Sequence, residues 1–364
     1  MPTADSPPFD VVQTYNNLLR DDPDLTMPVA AIESLVIALS QHPSTTVSET
    51  LSLLTTLTSQ LKSGVSNPIA LSAGTDLFQR YIITTLQRPT ASVSGRTGSE
   101  VTSFDEVRSH LVRNGRLFVE RAKEARERIA AFGRGFVRDG SVVLTNGGSR
   151  VVGALLRSAA EGSRGFGSGG SVRFKVIYVV NSPAPGKGTE GKAVLAPGLV
   201  GDDESRANIS ALRKLGVPVA VIPATAMAYC LGQVSACFVG AEGVVENGGI
   251  ISRLGTYQMG MLAKQAGKPF YVVAESHKFV RLYPLGQNDL GIEQNIVDFR
   301  TDDVEAGSKG DAAGGKQGDG PKLPQTSLDE AVDFTPPHLI SGIITEAGVL
   351  LPSAVSEELI KIWF

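Results

Sequence analysis

The sequence predicts an α/β protein in two parts: an N-terminal α-helical domain over residues 1–138, then a doubly wound parallel-sheet domain over residues 139–364. Three observations carry this. Up to about residue 136, apolar residues recur every three or four positions, the period of a helix with one buried face. Beyond residue 140 the period gives way to short β-branched runs that are apolar throughout, with helical stretches between them. Strands of that kind lie in parallel sheets covered on both faces. Finally, 364 residues suit two domains at about 100–200 residues each. A chain of that size builds its core without disulfide or metal staples.

Taken in order, Val29, Ile32, Val36 and Leu39 form one apolar face, and Leu51, Leu54, Leu57 and Leu61 a second. Ser66-Asn67-Pro68 reads as a helix start, and Leu71, Phe78, Ile82 and Leu86 continue its buried side. Residues 89–103 are rich in Ser, Thr and Gly and read as a loop. A long helix follows over about 104–132, whose Lys123–Glu127 and Glu124–Arg128 pairs sit four apart. That face is either simply solvated or a partner contact. Strands are predicted at 142–144, 176–180, 217–222, 237–239 and 270–273, with helices near 149–160, 205–215, 225–232 and 256–266. Segments 161–171, 182–203 and 303–322, rich in Gly, Ser, Pro or Asp, read as flexible insertions.

Composition narrows the function. With 34 Lys and Arg against 37 Asp and Glu, the formal charge is −3, which argues against direct nucleic-acid binding through phosphates. Cys230 and Cys237 lie among apolar neighbours and form no CxxC pair, and four histidines are scattered, so no metal site is expected. Residues 1–10 lack the basic and apolar regions of a secretory signal, and no run of 18 apolar residues occurs. The expected setting is the cytosol, without membrane contact.

Two motifs suit ligand binding. Gly165-Phe166-Gly167-Ser168-Gly169-Gly170 matches GxGxxG but has a helix before it and a strand after, the reverse of a dinucleotide fingerprint, and is rejected. By contrast, Asn146, Gly147, Gly148, Ser149 and Arg150 leave a strand and open a helix, where backbone N–H groups attract anions. An anion site and a plain tight turn both fit. The second motif runs from Val239 to Thr256. Its Glu242, Gly243 and Asn247 follow a strand, and Arg253 and Thr256 precede or open a helix. Sugar hydroxyls on Glu242 and Asn247, with a phosphate on the helix starts, is one reading; a βα turn with structural glycines is the other. Arg150 and Arg253 are the cations suited to phosphate, and Arg206 is a further candidate. No nucleophile–base arrangement occurs, so no catalytic residue is assigned.

Gly240-Ala241-Glu242-Gly243-Val244-Val245-Glu246-Asn247-Gly248-Gly249-Ile250-Ile251, Gly255-Thr256, Lys268 to Ser276 and Lys278-Phe279-Val280-Arg281 resemble the alpha-subunit family of eukaryotic translation initiation factor 2B. Asp22-Pro23-Asp24, residues 29–32 and residues 348–361 fit as well. The resemblance implies a Rossmann-like second domain and a homodimer formed through it. It implies a non-catalytic regulatory subunit in a guanine-nucleotide exchange complex with beta, delta, gamma and epsilon subunits. Such a subunit promotes assembly and senses the phosphorylated alpha subunit of initiation factor 2, through the 41–50 turn and its neighbouring helices.

The fold is shared with sugar-phosphate isomerases, the alternative reading. Their cysteine and aspartate fall at Gly147 and Ala224, so thiol and carboxylate are both missing there. Relatives carry His, Ala and Tyr at Asn146, Gly147 and Gly148, and Asp at Ala224. A roomier, less negative pocket is therefore expected. It would need no cofactor and would take a sugar phosphate or nucleoside monophosphate.

Overall fold

The structure is a computed structural model that describes residues 9–22, 25–42, 46–65, 67–87, 104–164, 172–180, 202–297 and 330–363. The predicted loop at 89–103 and the insertion at 303–322 lie outside the described residues, as do 165–171 and 182–201 of the other two insertions.

Five helices come first: α1 (Val11–Asp21), α2 (Met27–Gln41), α3 (Val47–Ser63), α4 (Ile69–Gln87) and α5 (Phe104–Gly133). The starts of α1, α3 and α4 are fixed by side-chain oxygens. Asp10 accepts from Gln13 N at 2.9 Å and Thr46 from Glu49 N at 3.2 Å; Asn67 receives Ile69 N at 3.2 Å. The second helix, α2, is buried nearly all round, with Ala30, Ala31, Ile32, Leu35, Ala38 and Leu39 inaccessible, so it forms the centre of the helical layer. At 30 residues α5 spans about 45 Å and belongs to two cores. Its Val119 and Ala122 pack with α2, whereas Ile129 packs against the sheet.

The main sheet is built from β1 (Val142–Asn146), β2 (Lys175–Val179), β3 (Val219–Ile222), β4 (Ala236–Val239), β7 (Phe270–Val273), β10 (Gly342–Thr345) and β11 (Gly348–Leu350). Its order is β11-β10-β7-β4-β1-β2-β3, parallel except for β11. Along β1, Val143 packs with α6 (Arg150–Arg164) and α7 (Asp203–Lys214), whereas Leu144 faces α8 (Met227–Cys230) and α9 (Thr256–Gln265). The closing α10 (Val355–Trp363) joins that second face through Val355 and Leu359. Helices thus cover both faces, as predicted.

Two insertion boundaries shift. Residues 161–164 complete α6, because each further residue adds a backbone hydrogen bond once a helix is nucleated. Residues 202 and 203 cap and open α7, with Asp202 accepting from Ser205 N at 2.6 Å. The helix expected at 225–232 is only one short turn, α8, flanked by 3₁₀ turns.

A larger difference concerns residues 243–253, which the sequence reading leaves as a βα turn. They form a hairpin, β5 (Gly243–Val245) and β6 (Ile250–Arg253), within a second sheet completed by β8 (Phe279–Val280) and β9 (Val332–Thr335). Its order is β8-β5-β6-β9, and Ile69 and Ala73 of α4 cover it.

Candidate functional site

In a doubly wound sheet, ligands bind beyond the carboxyl ends of the strands, where the strand order reverses. Here the reversal lies between β1 and β4: β2 and β3 extend one way from β1, whereas β4, β7 and β10 extend the other. The loops leaving β1 and β4 face a cavity of about 80 Å³. Asn146, Gly148, Ser149 and Arg150 form one wall, and Gly240, Ala241 and Glu242 another. Arg253 and Ser252 come from β6, Glu275 and Lys278 follow β7, and Glu204 comes from α7. Thr26, Met27, Pro28 and Ala70 of the helical layer close it. A larger depression of about 460 Å³ is lined, among the described residues, by α2 and α5, including Arg113, Arg116 and Glu120.

The first loop is tightly fixed. Asn146 donates to Thr256 Oγ1 at 3.0 Å and to the Leu254 carbonyl at 3.2 Å, which ties β1 to the start of α9. Gly147 has φ +63°, a left-handed conformation that favours glycine, and sits under the Arg253 side chain. Ser149 caps α6 by accepting from Val152 N at 3.4 Å. A Cβ on Gly240 would lie 2.3 Å from Ser149 Oγ, so the two loops approach this closely only because residue 240 is glycine.

Charge is concentrated around this loop. Arg253 pairs with Asp202 at 2.7 Å and Glu204 at 3.3 Å. Arg150 pairs with Glu204 at 2.7 Å and donates to the Leu25 carbonyl, joining the sheet to the helical layer. Lys278 donates to the Ala241 carbonyl at 3.0 Å and lies 3.5 Å from Glu275. Burial would raise the Glu275 carboxyl, but Lys278 above all, with a backbone hydrogen bond and Arg126, outweighs it and holds the group down at about 2. Tyr15 is pushed up to about 12 by burial and by the charge of Glu242.

Six of the ten residues named from sequence line the cavity: Asn146, Gly148, Ser149, Arg150, Glu242 and Arg253. Gly147 and Thr256 lie behind them. Two others are turned to structural work because the hairpin carries them away from the sheet edge. Gly243 packs against Ile69 and Val280, and Asn247 closes the hairpin by accepting from Gly249 N and donating to the Pro284 carbonyl. The α9 start is not an open anion site either. The Asp333 carboxylate accepts from Gly255 N at 2.7 Å and Tyr257 N at 3.1 Å. Arg206 pairs with Asp203, outside the cavity lining.

The cavity itself is small and rich in charge of both signs. Glu204, Glu242 and Glu275 of its lining face Arg150, Arg253 and Lys278, so its charges balance, and Asp202 adds a further carboxylate just outside it on Arg253. Asp202, Glu204, Glu275 and Lys278 were missed from sequence. Lys278 and Glu275 stand inside the block of resemblance, where charged residues flanking a strand end were the available signal. Neither cysteine lines the cavity: both are buried in the core, where burial pushes the Cys237 thiol up to about 12. Among the described residues, no group of His, Cys, Asp and Glu could hold a metal, and no helix is long and apolar enough to cross a membrane.

Residues 20–352 match the model of the initiation factor 2 subunit family. The chain belongs to that family. Among family relatives, the translation initiation factor eIF2B subunit alpha of Dictyostelium discoideum is 32% identical over 356 residues, covering 97% of this chain and 96% of that one. The ribose 1,5-bisphosphate isomerase of Archaeoglobus fulgidus is 25% identical over 250 residues, 69% of this chain and 66% of the relative. Among solved structures, the tetrameric eIF2B-beta2-delta2 complex from C. thermophilum matches with a TM-score of 0.61 at 19% identity, covering 96% of this chain and 93% of that one. At that identity the likeness speaks for the fold alone.

Proposed function

We propose that this family member is a non-catalytic regulatory subunit of a translation initiation factor 2B guanine-nucleotide exchange complex in the cytosol. In this reading it pairs with a second copy through the sheet domain and assembles with beta, delta, gamma and epsilon subunits. Its N-terminal helices sense the phosphorylated alpha subunit of initiation factor 2; residues 43–45 of the 41–50 turn lie outside the described residues. The cavity at the β1–β4 switch takes a sugar phosphate or nucleoside monophosphate, as a ligand rather than a substrate.

The end-to-end similarity to an eIF2B alpha subunit, across both the helical and the sheet parts, carries this reading. The absence of a thiol at Gly147 supports ligand binding without turnover. The test is affinity capture of the tagged chain from its native cytosol at moderate salt. Recovery of the four other 2B subunits in comparable amounts is expected; recovery of the chain without them overturns the proposal.

One observation favours the isomerase alternative. Although Ala224 supplies no carboxylate, Glu242 brings one to the same sheet edge, where general acid–base chemistry would need it. Turnover of ribose 1,5-bisphosphate by the purified chain, lost in Glu242→Gln, would establish it.

A further inference from the structure

The groups that sequence reasoning assigns to a phosphate are already engaged by the chain itself. Gly148 N–H points to Asp202 Oδ2 at 3.4 Å. Arg253 divides its guanidinium between Asp202 and Glu204, and Arg150 takes the other oxygen of Glu204. Glu204 therefore bridges both arginines as a bound anion would. These two carboxylates stand at the start of α7, and their approach depends on bare backbone. A Cβ on Gly148 would lie 2.4 Å from Glu204 Cβ and 2.6 Å from Asp202 Oδ1.

The size of the cavity agrees. The cavity is about 80 Å³. Sites for small organic ligands span about 300–1,000 Å³. With both arginines drawn onto α7, neither the space nor the free donors for a sugar phosphate are present.

We propose that Asp202 and Glu204 act as an internal anion, so that a phosphorylated ligand enters by displacing the first turn of α7 from Arg150, Arg253 and Gly148. This rests on the phosphate-ligand reading of the pocket and adds its regulation: the site is held shut by competition, and occupancy is coupled to the position of α7. A phosphate monoester offers three terminal oxygens, two of which match a guanidinium fork as the displaced carboxylates do.

The experiment is calorimetric titration of the full-length chain with ribose 5-phosphate. It compares wild type, Asp202→Asn, Glu204→Gln and the double variant. Asn remains a good N-cap and Gln keeps the shape of Glu, so α7 retains its start; melting temperatures check this. Asp203→Asn is the control, since Asp203 is exposed and pairs with Arg206 away from the cavity. The double variant is expected to bind at least tenfold more tightly than wild type, each single variant less so, and the control as wild type does. Adding Arg253→Ala to the double variant is expected to abolish the gain. Equal or weaker binding by the double variant overturns the internal anion while leaving the pocket intact. A gain that survives Arg253→Ala, or no binding by any variant, overturns the pocket reading and the internal anion with it.

Discussion

Asp333 illustrates how one residue serves two requirements in conflict. It caps α9 with its carboxylate, yet burial pushes its carboxyl up to about 7, and the three backbone hydrogen bonds from Tyr257, Gly255 and Thr256 only partly oppose this. The folded state therefore binds the proton more tightly than the unfolded chain does. The resulting stability is complete below the ordinary aspartate range and is lost as pH rises through about 7. The difference is worth a few kcal/mol. Asp333→Asn keeps a capping oxygen without the charge. Its melting temperature should exceed that of wild type at pH 8 by more than at pH 4; a constant difference would contradict the assignment. Arg150 acts at the same scale. It faces the cavity and also holds the Leu25 carbonyl, so Arg150→Ala should cost at least tenfold in affinity for ribose 5-phosphate and about 1–3 kcal/mol of stability. Calorimetry and urea unfolding measure the two losses separately.

At the scale of elements, packing overrides propensity. Gly74 lies within α4, where alanine is ordinarily better by about 1 kcal/mol. A methyl group there would sit 2.7 Å from the Pro28 carbonyl oxygen and 2.9 Å from its Cα, both backbone atoms of α2. Gly74→Ala is therefore expected to destabilise by about 1–3 kcal/mol, read by urea unfolding; a gain in stability would show that α2 and α4 separate freely. The helix starts and strand cores were legible in sequence because capping and periodicity are local. The β5–β6 hairpin was not. Its strands are three and four residues long, and only β8 and β9, arriving from later in the chain, complete their hydrogen bonding.

For the whole molecule, a buried charge cluster joins the two layers. Glu275, 1% exposed beyond β7, lies 3.9 Å from Arg126 of α5 and 3.5 Å from Lys278. His277, whose titration is lowered by burial, meets Thr26 Oγ1 of the helical layer at 3.4 Å. Removing one partner from such a cluster strands the others, at about 3–5 kcal/mol. Glu275→Ala should lower stability by that amount. The fold favours the ionised form, so this contribution is present above the ordinary carboxylate range and is lost as pH falls toward about 2. Wild type should lose its advantage over Glu275→Ala between pH 4.5 and pH 2, measured by chemical unfolding; an unchanged advantage would remove Glu275 from the interface.

By itself the sequence determined the fold class, the helical first part with the five strands of the main sheet from β1 to β7, the strand-to-helix turn at 146–150 and the family block at 240–281, since each is written in residues a few positions apart. Only the tertiary structure decided what that loop meets. Asp202 reaches Gly148 across 54 positions and Arg253 across 51, and Asp333 caps a helix 78 residues before it. Such pairings depend on which turns the sheet order brings to one edge and how deeply they are buried there. Burial and approach set the strength of a charge, and neither is local to the chain.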